Sequence, residues 1–179
     1  VYLWINDDRV EIRGASHLWG KTTWETLEIL RMEFNDPTLH CISIGPAGEN
    51  GSAMACINVD TYRHFGRLGA GAVMGAKNLL GIAVKGSRQP EVADPDKLKT
   101  AIKNAIATLR NSEGADGLRE HGTTGEMAAN DASGDWPSKN WQANSWGKGE
   151  ALYDTFFNQH LVRNNGCYRG CPIACGRIA

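Results

Sequence analysis

Long apolar runs are missing from this sequence of 179 residues. Stretches such as VYLWI at the start fall far short of the roughly 20 residues that a membrane-crossing helix needs. An excess of positive charge is missing too. Nineteen Lys and Arg stand against 20 Asp and Glu, a net charge near −1, and the scattered basic residues exclude a phosphate-tracking nucleic-acid binder. The opening, VYLWINDDRVEIRG, lacks the basic start and small-residue cleavage site of an export signal. Cysteine is sparse outside one cluster, so a disulfide framework is not indicated, and a reducing, cytoplasmic compartment is expected. His17, His40, His64, His121 and His160 form no HxH or HxxxH pair, which argues against a His-ligated metal site. An initiator Met is missing as well, and the chain closes just past the cysteines, so a piece of a longer protein is expected.

What is there reads as an α+β chain. VYLWI and RVEIR flank the turn-rich NDD and predict a hairpin over residues 1–13. Thr22 and Glu25 have capping-box spacing ahead of Leu27, Leu30 and Phe34, which predicts a helix that Pro37 stops. HCISIG (40–45) and SAMACINV (52–59) predict strands joined by a loop, GPAGEN, with Cys41 and Cys56 as small buried hydrophobes inside them. GIAVKG predicts a further short strand. The prolines at 90 and 95 then mark a change of composition, and a domain boundary is placed near residue 94. Asp94 as N-cap and Pro95 at the first helical position open an amphipathic helix lined by Leu98, Ile102, Ala105 and Leu109. Residues 112–142 read as mostly loop with room for one short helix, Glu126, Asp131 and Asp135 as solvated carboxylates, and GEALYDTFFNQHLV as a helical stretch. Six tryptophans, three of them within 136–146, read as packing or interface groups.

Two constellations carry chemistry. GCYRGCPIACGR places Cys167, Cys171 and Cys175 at even spacing, three thiolates close enough to converge on one soft metal centre. A structural zinc site usually pairs two knuckles, and no second knuckle is visible. A 4Fe–4S cluster with its fourth cysteine beyond residue 179 fits the pattern best. The second constellation is GRLGAGAVMGAKNLLGIAVKG, six glycines in 21 residues. Gly69, Gly71 and Gly75 spell GxGxxxG, but the preceding DTYRHFGR is too polar for the buried strand of a dinucleotide fold. An anion cradle is the alternative, with Arg67 as the fixed charge and Gly69 and Gly71 freeing backbone N–H groups. Glycines serving only close packing are the third reading.

Taken together, VEIRGASHLWGKTTWET, IGPAGEN, the glycine block, WPSKNWQ and CYRGCPIACGR resemble the tungsten-dependent aldehyde:ferredoxin oxidoreductase family, in family order over nearly the whole chain. The resemblance implies that residues 1–94 are the C-terminal portion of a β-rich pterin-binding domain, and residues 95–179 the start of a helical domain carrying the cluster cysteines. It implies a tungsten bis-pterin cofactor whose phosphates meet Arg67 and Gly69, with the Leu68 carbonyl on a bridging Mg ion. Cys167, Cys171 and Cys175 would ligate a 4Fe–4S cluster. The implied reaction is oxidation of a small aldehyde to a carboxylic acid, with electrons passed to ferredoxin or another electron-transfer subunit. Self-association is left open, and no catalytic acid or base falls within these residues. Two features depart from the family pattern: one extra residue between Cys167 and Cys171, and GRLGAG where GRGGLG is usual. The first leaves the subfamily open. A related subunit that reduces an aromatic-ring thioester on the same scaffold, or a non-catalytic metal-binding module, stands as the alternative.

Overall fold

Alternating apolar residues in YLWIN and RVEIR form β1 (Tyr2–Asn6) and β2 (Arg9–Arg13), an antiparallel pair joined through Asp7 and Asp8. Asp7 takes φ +52°, a conformation that a short polar side chain tolerates in a two-residue hairpin turn. Its carboxylate accepts from the Ser87 N–H at 2.8 Å and the Ser87 hydroxyl at 2.9 Å. These are features of a computed structural model, which describes residues 1–168 and 170–179 and divides the chain into two compact units, Val1–Pro90 and Glu91–Ala179. Among the described residues no helix is long and apolar enough to cross a membrane.

The first unit adds β3 (His40–Ser43), β4 (Ile57–Val59), β5 (Arg63–Phe65) and β6 (Gly81–Lys85) to the hairpin. They make one sheet in the order β2-β1-β6-β3-β4-β5, in which only β1 and β6 run parallel. The register Trp4↔Ala83 and Cys41↔Ala83 puts these three side chains on one face. Helix α1 (Thr23–Glu33) covers that face and brings Leu27 and Leu30 against Trp4, Cys41, Leu80 and Ala83. Phe34, just past the helix, stacks on Trp4 at 3.9 Å between ring centroids. Each large side chain buried here contributes roughly 1.5–3 kcal/mol. The capping box holds as the spacing predicts: Thr22 Oγ1 accepts from the Glu25 N–H, and a Glu25 carboxylate oxygen accepts from the Thr22 N–H at 2.8 Å.

Two expectations for this unit change. GPAGEN is not only a loop: Pro46 starts a one-turn helix, α2 (Pro46–Glu49), because its fixed φ suits the first helical position. The strand expected over 52–59 shortens to β4, since the chain turns at Ser52–Ala55, where the Ala55 N–H donates to the Ser52 carbonyl at 2.9 Å. Cys56 therefore precedes the strand and is exposed, whereas Cys41 lies in β3 and is buried. Helix α3 (Ala70–Ala76) completes the unit and packs on α2.

The second unit is mainly helical, as the α+β reading expects. Helix α4 (Pro95–Arg110) starts where Asp94 accepts from the Lys97 N–H at 2.9 Å. Residues 112–142 hold more helix than their glycine and serine content predicts: α5 (Glu113–His121), a 3-10 segment Gly122–Glu126, and α6 (Met127–Ser133). Ser112 supplies the α5 cap through its hydroxyl, a local bond that outweighs the low propensity of the glycines. Asp131 is not a solvated loop carboxylate. It lies in α6 and accepts from the Tyr153 hydroxyl at 3.0 Å and from the Ser145 hydroxyl. GEALYDTFFNQHLV yields only a 3-10 turn (Gly149–Leu152) and α7 (Asp154–Asn158). The chain closes on a small hairpin, β7 (Arg163–Asn165) and β8 (Gly176–Ile178). Of the six tryptophans Trp4 alone is buried, while Trp19, Trp24, Trp141 and Trp146 are exposed.

Candidate functional site

Two places carry the chemistry that the sequence points to, one in each unit. In the first unit the chain leaves β5 at Phe65 and enters α3 at Ala70 through two consecutive left-handed residues, Leu68 (φ +72°) and Gly69 (φ +64°). Leucine in this region is uncommon and costs energy. Gly69 is required twice over, by its φ and because a Cβ there would lie 2.3 Å from the Ala53 carbonyl oxygen. The turn is thus pressed onto residue 53, and the Leu68 side chain is 99% exposed. Arg67 is exposed and makes no ion pair among the described residues.

The three glycines of the block divide their work. Gly71 donates its N–H to the Ala55 carbonyl at 3.0 Å, and a Cβ on it would lie 2.5 Å from the Cys56 carbonyl oxygen. It serves close packing, so the expectation that its N–H is free for a phosphate fails. Gly75 packs against Gly48 in the same way. What remains outward is Arg67 and Leu68: an exposed guanidinium with no ion pair among the described residues, beside a turn whose Gly69 is itself buried against Ala53. That donor set fits an anionic group such as a cofactor phosphate.

In the second unit β7 and β8 pair at Arg163↔Ile178, Asn164↔Arg177 and Asn165↔Gly176. The intervening loop, 166–175, holds all three clustered cysteines; Arg169 within it lies outside the described residues. Cys167 Sγ and Cys171 Sγ stand 3.8 Å apart. The Ala174 N–H donates to Cys171 Sγ at 3.4 Å, and amide N–H groups at Ala174 and Ile173 bring the Cys171 thiol down to about 7. Cys175 is half-buried and stands outside this pair: among the described residues no three His, Cys, Asp or Glu side chains meet as a metal-holding group. Two thiols within reach of each other, one already stabilised as thiolate by amide donors, fit a soft metal or an iron–sulfur cluster.

The sequence reading missed the arginines behind this loop. Arg119, in α5, donates from Nε to the Pro172 carbonyl at 3.2 Å. Arg177 donates from Nη1 to the Ala174 and Gly176 carbonyls. No local signal marks either residue, because their acceptors are backbone carbonyls that only the folded loop brings to them.

Comparison with known proteins places both units. Residues 1–86 match the family model of the aldehyde ferredoxin oxidoreductase N-terminal domain, and residues 100–179 match that of aldehyde ferredoxin oxidoreductase domains 2 and 3. The chain is 42% identical to a tungsten-containing aldehyde ferredoxin oxidoreductase of Thermococcus kodakarensis over 99% of its own length and 30% of the relative's. It is 32% identical to a WOR-like subunit of an aliphatic sulfonate oxidoreductase of Pyrococcus furiosus, over 100% of the chain and 30% of that protein. Among solved structures it resembles the active-site complex BamBC of benzoyl-coenzyme A reductase with 1,5-dienoyl-CoA, with a TM-score of 0.76 and 30% identity over 98% of this chain and 29% of the other. The chain therefore spans about 30% of the length of the curated relatives it matches.

Proposed function

The chain belongs to the aldehyde ferredoxin oxidoreductase family, and from that premise we propose that it is part of a tungsten enzyme oxidising aldehydes to carboxylic acids. Arg67 and Gly69 hold the phosphates of a tungsten bis-pterin, and the Leu68 carbonyl meets a Mg ion between them. Cys167, Cys171 and Cys175 hold a 4Fe–4S cluster, with ferredoxin or another electron-transfer subunit as acceptor in the cytoplasm. When bound, the pterin centre would take two electrons from the aldehyde and the cluster would release them singly.

The observation that carries the reading is the Cys171 sulfur, which accepts from the Ala174 amide at 3.4 Å in the one loop that also holds Cys167 and Cys175. With its thiol brought down to about 7, a large share of this sulfur is already the thiolate that ligates at neutral pH. The left-handed turn supports the other half, since Leu68 keeps a strained φ of +72° although its side chain is exposed and packs into no core. The residues of this chain would thus bind and orient two groups.

Two further readings rest on specific observations. The likeness to the benzoyl-coenzyme A reductase complex favours reduction of an aromatic thioester on the same scaffold. The 3.8 Å sulfur separation also suits two thiolates sharing one tetrahedral zinc at about 2.3 Å each. Elemental analysis of the native, full-length protein purified without oxygen separates these. Tungsten with about four irons per chain beyond any other cluster supports the oxidoreductase, and zinc alone defeats it. Aldehyde-dependent ferredoxin reduction against thioester reduction then chooses between the two enzymes. In the same protein, Arg67→Ala is expected to lower tungsten content while leaving iron unchanged.

A further inference from the structure

Ala174 is fixed at both ends. It adopts φ +52°, a left-handed conformation that is unfavourable for an alanine. On one side its N–H donates to Cys171 Sγ at 3.4 Å. On the other its carbonyl accepts from Arg177 Nη1 at 3.3 Å, and the same nitrogen reaches the Gly176 carbonyl at 3.3 Å. Arg177 Nη2 donates to the Arg119 carbonyl at 3.0 Å, which ties the fork to α5.

The guanidinium is wedged in place. A Cβ on Gly122 would meet Arg177 Cζ at 3.0 Å and the Cys175 carbonyl oxygen at 2.8 Å, so only glycine lets the arginine and the cysteine backbone lie this close. Arg177 Nε is buried and has no acceptor among the described residues. An orphan donor of this kind is what a bound anion satisfies. The β7–β8 ladder, by contrast, pairs through the backbone of Arg177 and does not need its side chain.

We propose that Arg177 is a positioning residue for the thiolate ligands: its fork holds Ala174 in the left-handed conformation that aims the Ala174 N–H at Cys171, and so raises the reduction potential of the bound cluster. The inference rests on the 4Fe–4S reading above. An N–H aimed at a cluster thiolate withdraws charge from sulfur, which favours the more negative, reduced state. The guanidinium charge acts in the same direction. Lysine in its place keeps the charge but lacks the planar fork that spans two carbonyls.

The test uses the full-length holoenzyme, purified without oxygen, with Arg177→Gln and Arg177→Lys. Three quantities are read: iron per chain, the cluster midpoint potential by EPR-monitored titration, and the shift of the Fe–S(Cys) stretch in D2O by resonance Raman. Arg177→Gln is expected to keep its iron, move the midpoint to more negative potential and lose most of the D2O shift. Arg177→Lys is expected between it and wild type. A loaded Arg177→Gln protein with wild-type midpoint and D2O shift overturns the proposal. Should Arg177→Gln take up no cluster, Arg177→Lys decides: a midpoint moved negative supports the fork, and an unmoved one defeats it. Native protein that carries zinc and no iron removes the cluster itself, and the proposal falls with the reading beneath it.

Discussion

The carbonyl oxygen of Gly48 lies 2.0 Å from the point where a side chain on Gly75 would begin, so α2 and α3 meet backbone on backbone. Gly75→Ala cannot be absorbed by a side chain swinging aside. It must push α3 off α2, and a loss of about 1–3 kcal/mol is expected. Gly14→Ala is the control, since nothing lies within 4 Å of its added carbon, and it should stay within about 0.5 kcal/mol of wild type. Denaturant midpoints of the two variants compare them directly; equal midpoints would contradict the close approach.

Removing the cap of α1 has a defined cost. Thr22→Ala deletes the Oγ1 acceptor of the Glu25 N–H and is expected to destabilise the first unit by about 1 kcal/mol, while Thr22→Ser stays close to wild type. The Glu25 carboxyl is held below its ordinary range, first by the Thr22 N–H and then by the Thr22 hydroxyl. Its contribution is therefore present at neutral pH and fades as pH falls through the carboxylate range. Thermal melts at pH 7 and pH 4 should show the Thr22→Ala deficit shrinking at the lower pH.

The cysteines should differ sharply in reactivity. In metal-free protein Cys171 titrates near 7 because amide N–H groups stabilise its thiolate, while burial pushes the Cys41 thiol up to about 12. Iodoacetamide at pH 7.5, followed by peptide mass spectrometry, is expected to label the Cys167–Cys171 pair well before Cys41. The rate at Cys171 should rise through pH 7 and then level off. Labelling of Cys41 at a comparable rate would show that its burial is wrong.

Asp36 gives the first unit an acid-sensitive contact. Its carboxylate pairs with Lys85 at 2.7 Å and accepts from the Thr38 N–H and hydroxyl, which hold it well below the usual carboxylate range. Near pH 4 the unfolded chain binds a proton that the folded one does not, so this stability exists above about pH 4 and is lost as pH falls. Asp36→Asn should be less stable than wild type at pH 7, with the gap narrowing steadily towards pH 3 in urea titrations. A gap independent of pH would show that the ion pair contributes nothing.

Legibility in the sequence followed the range of the interaction. The Thr22–Glu25 box, the Asp94 cap and the hairpin at Asp7 are settled within a few residues, and all three form as read. The strand expected through Cys56 failed because its apolar run says nothing of the turn at Ser52–Ala55 that cuts it short. Helix α5 was hidden by Gly114 and Gly117, whose low propensity is offset by the Ser112 cap, and α6 by its Asn, Asp and Ser, of which Asp131 is held by bonds from Tyr153 and Ser145. At the glycine block, spacing alone could not separate Gly71, whose N–H is taken by Ala55, from Gly69, which is needed for its left-handed φ and its close approach to Ala53. The strands RNN and GRI carry no alternation of apolar and polar residues, so the hairpin that gathers the cysteines leaves no periodic trace.

That hairpin is a clasp as well as a frame. Cys167 and Cys175 follow β7 and precede β8 at opposite ends of one loop, and only three residue pairs close its base. A centre held at both ends would tie the foot of β7 to the foot of β8, and parting the ladder would then have to work against the binding free energy of that centre as well as against three residue pairs.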